Sequence, residues 1–256
     1  MAAIDKIFTD CPFYGVPKMK DILRREHNIV IGRDRTRRLM RIMGLMAVYP
    51  KSSRNTSIPD KQHLIYPYLL RDTPAIHPNH VWGTDITYIK LEHGWCYLYA
   101  ILDWHSRYVI AWQLSPGLES NFCTRTLLEA LRTDKPEIHN SDQGSQFTSK
   151  DYTDLLKNDN IKISMDGRGR CMDNIFTERL WRTVKYEEVY LKSYSDIIEA
   201  EQNLKRYFDF YNNRRPHQSL NYQTPAEVYL SKKTTLGIKT RLQNEPQQIY
   251  FSQNDA

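Results

Sequence analysis

The stretch VWGTDITYIKLEHGWCYLYAILDWHSRYVIAWQL, residues 81–114, decides the architecture. Its opening VWGTDITYIKL is rich in β-formers, and Glu92-His93-Gly94 supplies a turn. WCYLYAILDW and RYVIAWQL then read as second and third strands, which makes an antiparallel meander. Working outward, NFCTRTLLEALRT carries Phe122, Leu127, Leu128 and Leu131 at helical spacing. PEIHNSD is a short strand ending in a polar loop, SKDYTDLLKND a helix, IKISM a short strand and MDNIFTERLWRTVKYEE (172–188) a helix. SDIIEAEQNLKRYFDFYNN, residues 195–213, is one more helix. Five strands, the last two interleaved with helices, predict a mixed α/β sheet with flanking helices.

Upstream, GVPKMKDILRREHNIVIGRDRTRRLMRIMG (15–44) offers two short helical patterns around a turn. Met19, Ile22 and Leu23 mark the inner side of the first, and Leu39, Ile42 and Met43 that of the second. Gly44 follows as a C′ residue. The layout is helix-turn-helix-like, with Arg33, Arg37, Arg38 and Arg41 on the outer side of the second helix, placed to reach phosphates or base edges. A purely structural tri-helical element with a solvated basic face is the alternative. Between Tyr49 and His80 lie five of the 12 prolines and no glycine, the composition of a partly extended linker. We therefore expect a basic helical domain over 1–48, a linker over 49–80, the α/β core with its C-terminal helix over 81–230, and a polar tail over 231–256.

Charge sharpens this division. Residues 1–60 hold 12 Lys and Arg against 6 Asp and Glu, so the net +6 of the 256-residue chain resides there, while the remainder holds 24 of each. Such an asymmetry is an electrostatic footprint for a polyanion, most often nucleic acid. No apolar run approaches the roughly 20 residues of a membrane span, and the opening MAAIDKIFTD lacks a basic and apolar leader pattern. A cytoplasmic, nucleoid-associated location without membrane contact is the expectation. Cys11, Cys96, Cys123 and Cys171 are widely spaced, which suggests neither a disulfide framework nor a zinc knuckle.

Three carboxylates stand out by position. Asp85 lies inside the first meander strand between Trp82, Ile86, Tyr88 and Ile89, where a charge costs free energy unless it is paired or binds a metal. Asp142 follows the fourth strand in HNSDQGSQF, the kind of strand-end loop that delivers functional side chains in α/β sheets. Glu178 lies on the helix of 172–188, where Asn174, Arg182 and Lys185 fall within about 40° of it and form one polar ridge. Phe176, Leu180 and Val184 lie opposite, and Asp173 could cap the helix. Alone, that ridge could be a solvated surface with a Glu178–Arg182 pair at i,i+4. The set changes the weighing, because 35 residues separate Asp142 from Glu178 and the two aspartates lie 57 apart in number.

An aspartate on a first meander strand, a second just after the fourth strand and a glutamate on a helix 35 residues further on form the layout of the ribonuclease-H-like polynucleotidyl transferases. The stretches GTDITYI, DWHSRYVIAW, NSDQGSQFTS, MDNIFTERLWRTVKYEEVY and YNNRRPHQSLNYQTPAEVY resemble second-frame transposases of bacterial insertion sequences, within the insertion-sequence-three family. PFYGVPKMKDIL and RTRRLMRIMGLMAVYP resemble the helix-turn-helix segment preceding the integrase core in these proteins, so the resemblance runs from Pro12 to Tyr229. It implies a DDE active site of Asp85, Asp142 and Glu178, each ligating metal, with two Mg²⁺ or Mn²⁺ ions. Asp85 would bridge them, water would make the first cut, and the freed 3′-OH would attack the next phosphodiester. The resemblance also implies DNA partners, namely terminal inverted repeats and target DNA, a homo-oligomer on DNA, and an upstream-frame protein as fusion or partner.

Lys185 resembles a basic residue that contacts substrate DNA in this superfamily; Asn174 and Arg182 share its ridge and could do the same. Asp103 is the decoy acid, expected in a structural role with Arg107, while Arg214, Arg215 and His217 suit either packing or DNA contact. The rivals are a ribonuclease-H-like nuclease without joining activity and a degenerate copy that only binds DNA.

Overall fold

The computed structural model describes residues 1–48, 64–71, 73–167 and 174–231. Its first three helices are α1 (Ala2–Asp10), α2 (Val16–His27) and α3 (Arg33–Ile42). Pro17 sits at the start of α2, where its missing N–H costs nothing, and Asn28 ends the helix in the left-handed region at φ 53°. Ile4, Ile7, Tyr14, Met19, Ile22, Leu23 and Met40 close a separate small core. The expected inner stripe of α3 shifts by a residue or two. Thr36 and Met40 are buried, Leu39 and Met43 are half-buried, and Ile42 is 61% exposed, because a stripe centred on 36 and 40 turns position 42 outward. Gly44 adopts φ +68°, the C′ conformation expected of it.

The meander forms as read. β1 (Val81–Lys90), β2 (Trp95–Asp103) and β3 (Val109–Ser115) pair antiparallel in sequence. After α4 (Ser120–Thr133), β4 (Ile138–Ser141) pairs parallel to β1; after α5 (Ser145–Thr148) and α6 (Lys150–Asn158), β5 (Lys162–Met165) pairs parallel to β4. The order β3-β2-β1-β4-β5 places β1 centrally, with an antiparallel neighbour on one side and a parallel one on the other.

Both faces of the sheet are covered. Trp82, Tyr99 and Ile101 pack with Phe122, Leu127, Tyr152 and Leu156 of α4 and α6. Val81, Ile89, Leu98, Ala100 and Leu102 face the other way, against Leu180, Trp181 and Val184 of α7 (Ile175–Glu187) and Leu204 and Phe208 of α8 (Ile197–Asn213). Burial on both faces explains why β2 reads as an almost unbroken apolar run. Asp196 caps α8 by accepting from the Glu199 amide at 2.8 Å.

Residues 49–63, at the start of the Pro-rich stretch, and the tail from 232 lie outside the described residues, as do Asp173 and Cys171. Residues 64–71 run along β5: Leu70 is buried in the core, and the Leu69 amide donates to Ser164 Oγ at 3.1 Å. Among the described residues, no helix is long and apolar enough to cross a membrane.

Candidate active site

The parallel pairing of β1 and β4 builds the centre of the site. Val81 pairs with Ile138, Trp82 with His139 and Gly83 with Asn140. Continuing that register by two residues brings Asp142, just beyond β4, level with Asp85 in the middle of β1. Asp85 is half-buried on the face covered by α7. Its Oδ1 accepts the Ile86 amide at 2.7 Å, and its Oδ2 accepts the Trp181 indole N–H at 2.9 Å. Each oxygen keeps a lone pair for another partner.

Burial pushes the Asp85 carboxyl up to about 7, and the charge of Asp142 pushes it the same way, against the two hydrogen bonds that favour its ionised form. Asp142 lies at the exposed mouth of the site, with Oδ1 accepting the Gly144 amide at 2.8 Å. Partial desolvation raises its carboxyl as well, with the Gly144 bond opposing. Two carboxylates this close resist ionising together, which is the condition a divalent cation relieves.

Glu178 occupies the first turn of α7, exposed, with a carboxyl raised by partial burial. Asp85 and Asp142 are therefore coupled to each other, while neither carboxyl is shifted by Glu178 on α7. Among the described residues no three His, Cys, Asp or Glu side chains form a complete metal-ligating cluster. Asp166, after β5, is a fourth acid at this end of the sheet and raises Asp85 further. Its carboxylate accepts from Asn140 Nδ2 at 2.8 Å and its carbonyl from Gln143 Nε2 at 2.8 Å, which ties the Asp142 loop to the end of β5. Nothing in its sequence neighbourhood marks it, since only the β4–β5 pairing brings it close.

An integrase core domain family matches residues 75–171, a second integrase core domain family matches 159–225, and an HTH-like domain family matches 1–53. The transposase for insertion sequence element IS629 of Shigella sonnei is 31% identical over 226 residues, covering 88% of this chain and 76% of that protein. Transposase InsF for insertion sequence IS3A of Escherichia coli (strain K12) is 30% identical over 222 residues, covering 80% and 76%. The chain belongs to the IS3 family of transposases. A chain of the simian T-cell lymphotropic virus intasome, solved with PP2A regulatory subunit B56 gamma, superposes with TM-score 0.53 at 18% identity over 77% of this chain and 64% of that one. That likeness concerns the fold.

Around the acids, the transposase divides its polar ridge in two. Lys185 is half-buried; desolvation lowers its ammonium while Asp85 holds it up, which sets it against the acidic centre. Trp181 lies one turn before Lys185 on the same side of α7, so the helix addresses Asp85 with two successive turns. Arg182 is exposed and leans over the Tyr186 ring at 5.5 Å, on the neighbouring flank. Asn174 departs from the expected surface role. It is 5% exposed and donates from Nδ2 to the Thr84 carbonyl at 3.2 Å, clamping the start of α7 to the strand residue before Asp85. A small amide beside a close strand–helix contact is drawn to the free backbone carbonyl rather than to solvent.

Arg33, Arg37, Arg38 and Arg41 are all exposed on α3, with Arg37 paired to Asp34 at 2.9 Å. Asp103 is structural, as expected, accepting the Asn79 amide at 2.7 Å and both the Ser106 amide and hydroxyl. The Arg107 guanidinium, however, lies over the Phe176 ring at 3.6 Å. Arg215 resolves toward packing: its Nε and Nη2 meet the two oxygens of buried Glu187 at 2.6 Å each, and His217 Nε2 lies 2.9 Å from its Nη1. Glu187 carries no sequence signal of its own, since a glutamate near a helix end reads as solvated.

Proposed function

We propose that this IS3-family transposase cleaves DNA and transfers the cut strand with Asp85, Asp142 and Glu178 as its acids. The observation that carries the reading is the Asp85–Asp142 pair, two carboxylates from adjacent parallel strands close enough for one to push the other's proton affinity up. Hard oxygen donors in this arrangement suit Mg²⁺ or Mn²⁺, and in this reading Glu178 of α7 would complete the set. Two such ions would activate an attacking oxygen and stabilise the departing 3′ oxygen of a phosphodiester. In the first reaction water's oxygen replaces the 3′ oxygen on phosphorus and leaves a 3′-OH. In the second, that hydroxyl attacks another phosphodiester and displaces its 3′ oxygen.

The chain's own residues orient these groups. Trp181 and the Ile86 amide fix the Asp85 carboxylate, the Gly144 amide fixes Asp142, and Lys185 offers a desolvated ammonium beside Asp85 for a substrate phosphate. The exposed arginines of α3 and Arg182 supply further phosphate contacts. The partners in this reading are the element's terminal inverted repeats and target DNA, engaged in the cytoplasm at the nucleoid by an oligomer of this chain, alone or with an upstream-frame protein.

The test is incubation with Mn²⁺ and precut element ends. Joined products that disappear in Asp142→Asn support strand transfer. Cleavage without joining would make the protein a nuclease, and DNA binding that needs no metal and yields no product would remove both catalytic readings.

A further inference from the structure

On the flank of α7 that carries Arg179 and Arg182 lies an open groove of about 380 Å³ between the N-terminal helices and the catalytic core. One wall includes Phe13, Lys18 and Val48; the other includes Arg107, Arg179 and Arg182. We propose that this seam binds the phosphodiester backbone of DNA, gripping it between the helix-turn-helix-like module and the catalytic core. The proposal rests on the transposase reading for the identity of the polyanion, and on the groove itself for the site.

Charge is the first argument. Five cationic side chains, Lys18, Arg107, Arg179, Arg182 and Arg215, line the groove with the single carboxylate of Glu187. Glu187 is already spent, bidentate with Arg215 and 3.4 Å from Lys18. Arg107, Arg179 and Arg182 have no carboxylate partner among the described residues. Three guanidiniums gathered along one wall repel one another until an anion arrives, and the planar guanidinium fork matches phosphate oxygens.

Pre-organisation is the second. Arg107 is held in the left-handed region at φ 63°, stacked on Phe176, with a buried Nη1 that has no hydrogen-bond partner among the described residues. A buried donor without a partner is costly, so the Arg107 guanidinium gains by turning toward an anion in the groove. Desolvation and the neighbouring Arg179 bring Arg107 down to about 10, with Tyr211 and Asp103 opposing, so it still carries its charge at neutral pH.

Position is the third. Viewed down α7, Arg182 and Arg179 stand about 40° and 100° from Glu178, on the flank whose groove also holds Phe13 and Lys18, so the cations run from the Glu178 edge of the helix toward the N-terminal module. A small anion would need one closed pocket. An open groove with cations spaced along it and an N-terminal domain as its opposite wall suits a chain of phosphates.

The experiment measures affinity of the full chain for a short fluorescein-labelled duplex of arbitrary sequence across a KCl series. Arg107→Gln and Arg179→Gln should each reduce the slope of log affinity against log salt by about 0.9, and the double variant by about 1.8. Between 50 and 200 mM salt, the double variant should then lose about tenfold less affinity than the wild type does. Arg179→Lys should restore the slope. An unchanged slope overturns the proposal, including the case where affinity falls equally at every salt concentration. If the double variant fails to fold, exposed Arg179→Gln alone decides by the same criterion. Joining of precut ends by the wild type in Mn²⁺ is scored separately, so failed transposition and a failed groove give different results.

Discussion

Asp85 carries two demands that oppose each other. It must sit in a packed strand to be positioned, and it must be ionised to bind a cation. Folding raises its carboxyl from the ordinary 3.8 to about 7, so the metal-free protein bears a penalty that is fully present above pH 7 and vanishes as pH falls toward the ordinary value. Asp85→Asn should therefore gain stability relative to wild type as pH rises from about 4 to about 8, by at most about 4 kcal/mol. Thermal melting without metal reads this directly, and Mg²⁺ at pH 8 should raise the wild-type midpoint more than the variant's. A difference independent of pH would show that Asp85 is not penalised. Glu187 is the reverse case: burial pushes its carboxyl up, but Arg215, Lys18 and the Tyr207 hydroxyl together hold it below the usual range. Its contribution is present above the unfolded value near 4.5 and is lost as pH falls through the lower folded value. Glu187→Gln leaves Arg215 buried without its counter-charge and should cost about 3–5 kcal/mol by urea denaturation at neutral pH.

One contact on β1 sets where α7 lies. A Cβ built on Gly83 would overlap the Trp104 indole nitrogen and lie 2.9 Å from Thr177 Oγ1 of α7, so a side chain there must displace the Trp104 ring and press on α7. Thr177 and Trp181, both on α7, are carried against β1 by that approach, and Asn174 adds its bond to Thr84. Gly83→Ala should cost about 1–3 kcal/mol of stability. It should also depress strand transfer more than DNA binding, because displacing α7 moves Trp181 and Lys185 away from Asp85 together. Equal losses in both assays would instead mean that the helix shifts as a unit with the DNA-contacting surface. A strand of this reading was legible as a strand, yet the role of its glycine was not, since a glycine in a β pattern signals close approach without naming what approaches.

The N-terminal helices and the core meet through few but specific groups. Phe210 of α8 packs against both the small N-terminal core and the large one, Lys18 reaches Glu187, and Arg25 bonds the Tyr222 carbonyl and lies 3.7 Å from Glu227. Phe210→Ala should loosen the docking without unfolding either body: amides of α1–α3 should exchange faster with deuterium, and those of β1 and β2 at the wild-type rate. Uniform acceleration across the chain would show that the two bodies fold as one cooperative unit.

Local pattern was enough to reveal the meander, the helices over 120–133 and 197–213, the basic α3 and the spacing of the three acids. Period, turn chemistry and charge are properties of neighbours along the chain, and they survive in any window that contains them. What came only with folding are the relations between distant segments. The parallel register brings Asp142 level with Asp85 and Asp166 to their side, Trp181 of α7 meets Asp85, Asn174 leaves the polar ridge to be buried, and Glu187 finds Arg215 across 28 positions. Each of these depends on which surface an element meets, and a helix wheel or a strand alternation carries no information about the identity of the facing partner. The chain thus announces its chemistry by residue type and spacing, while the close approach of β1, β4 and α7 selects which of its many charges share one site.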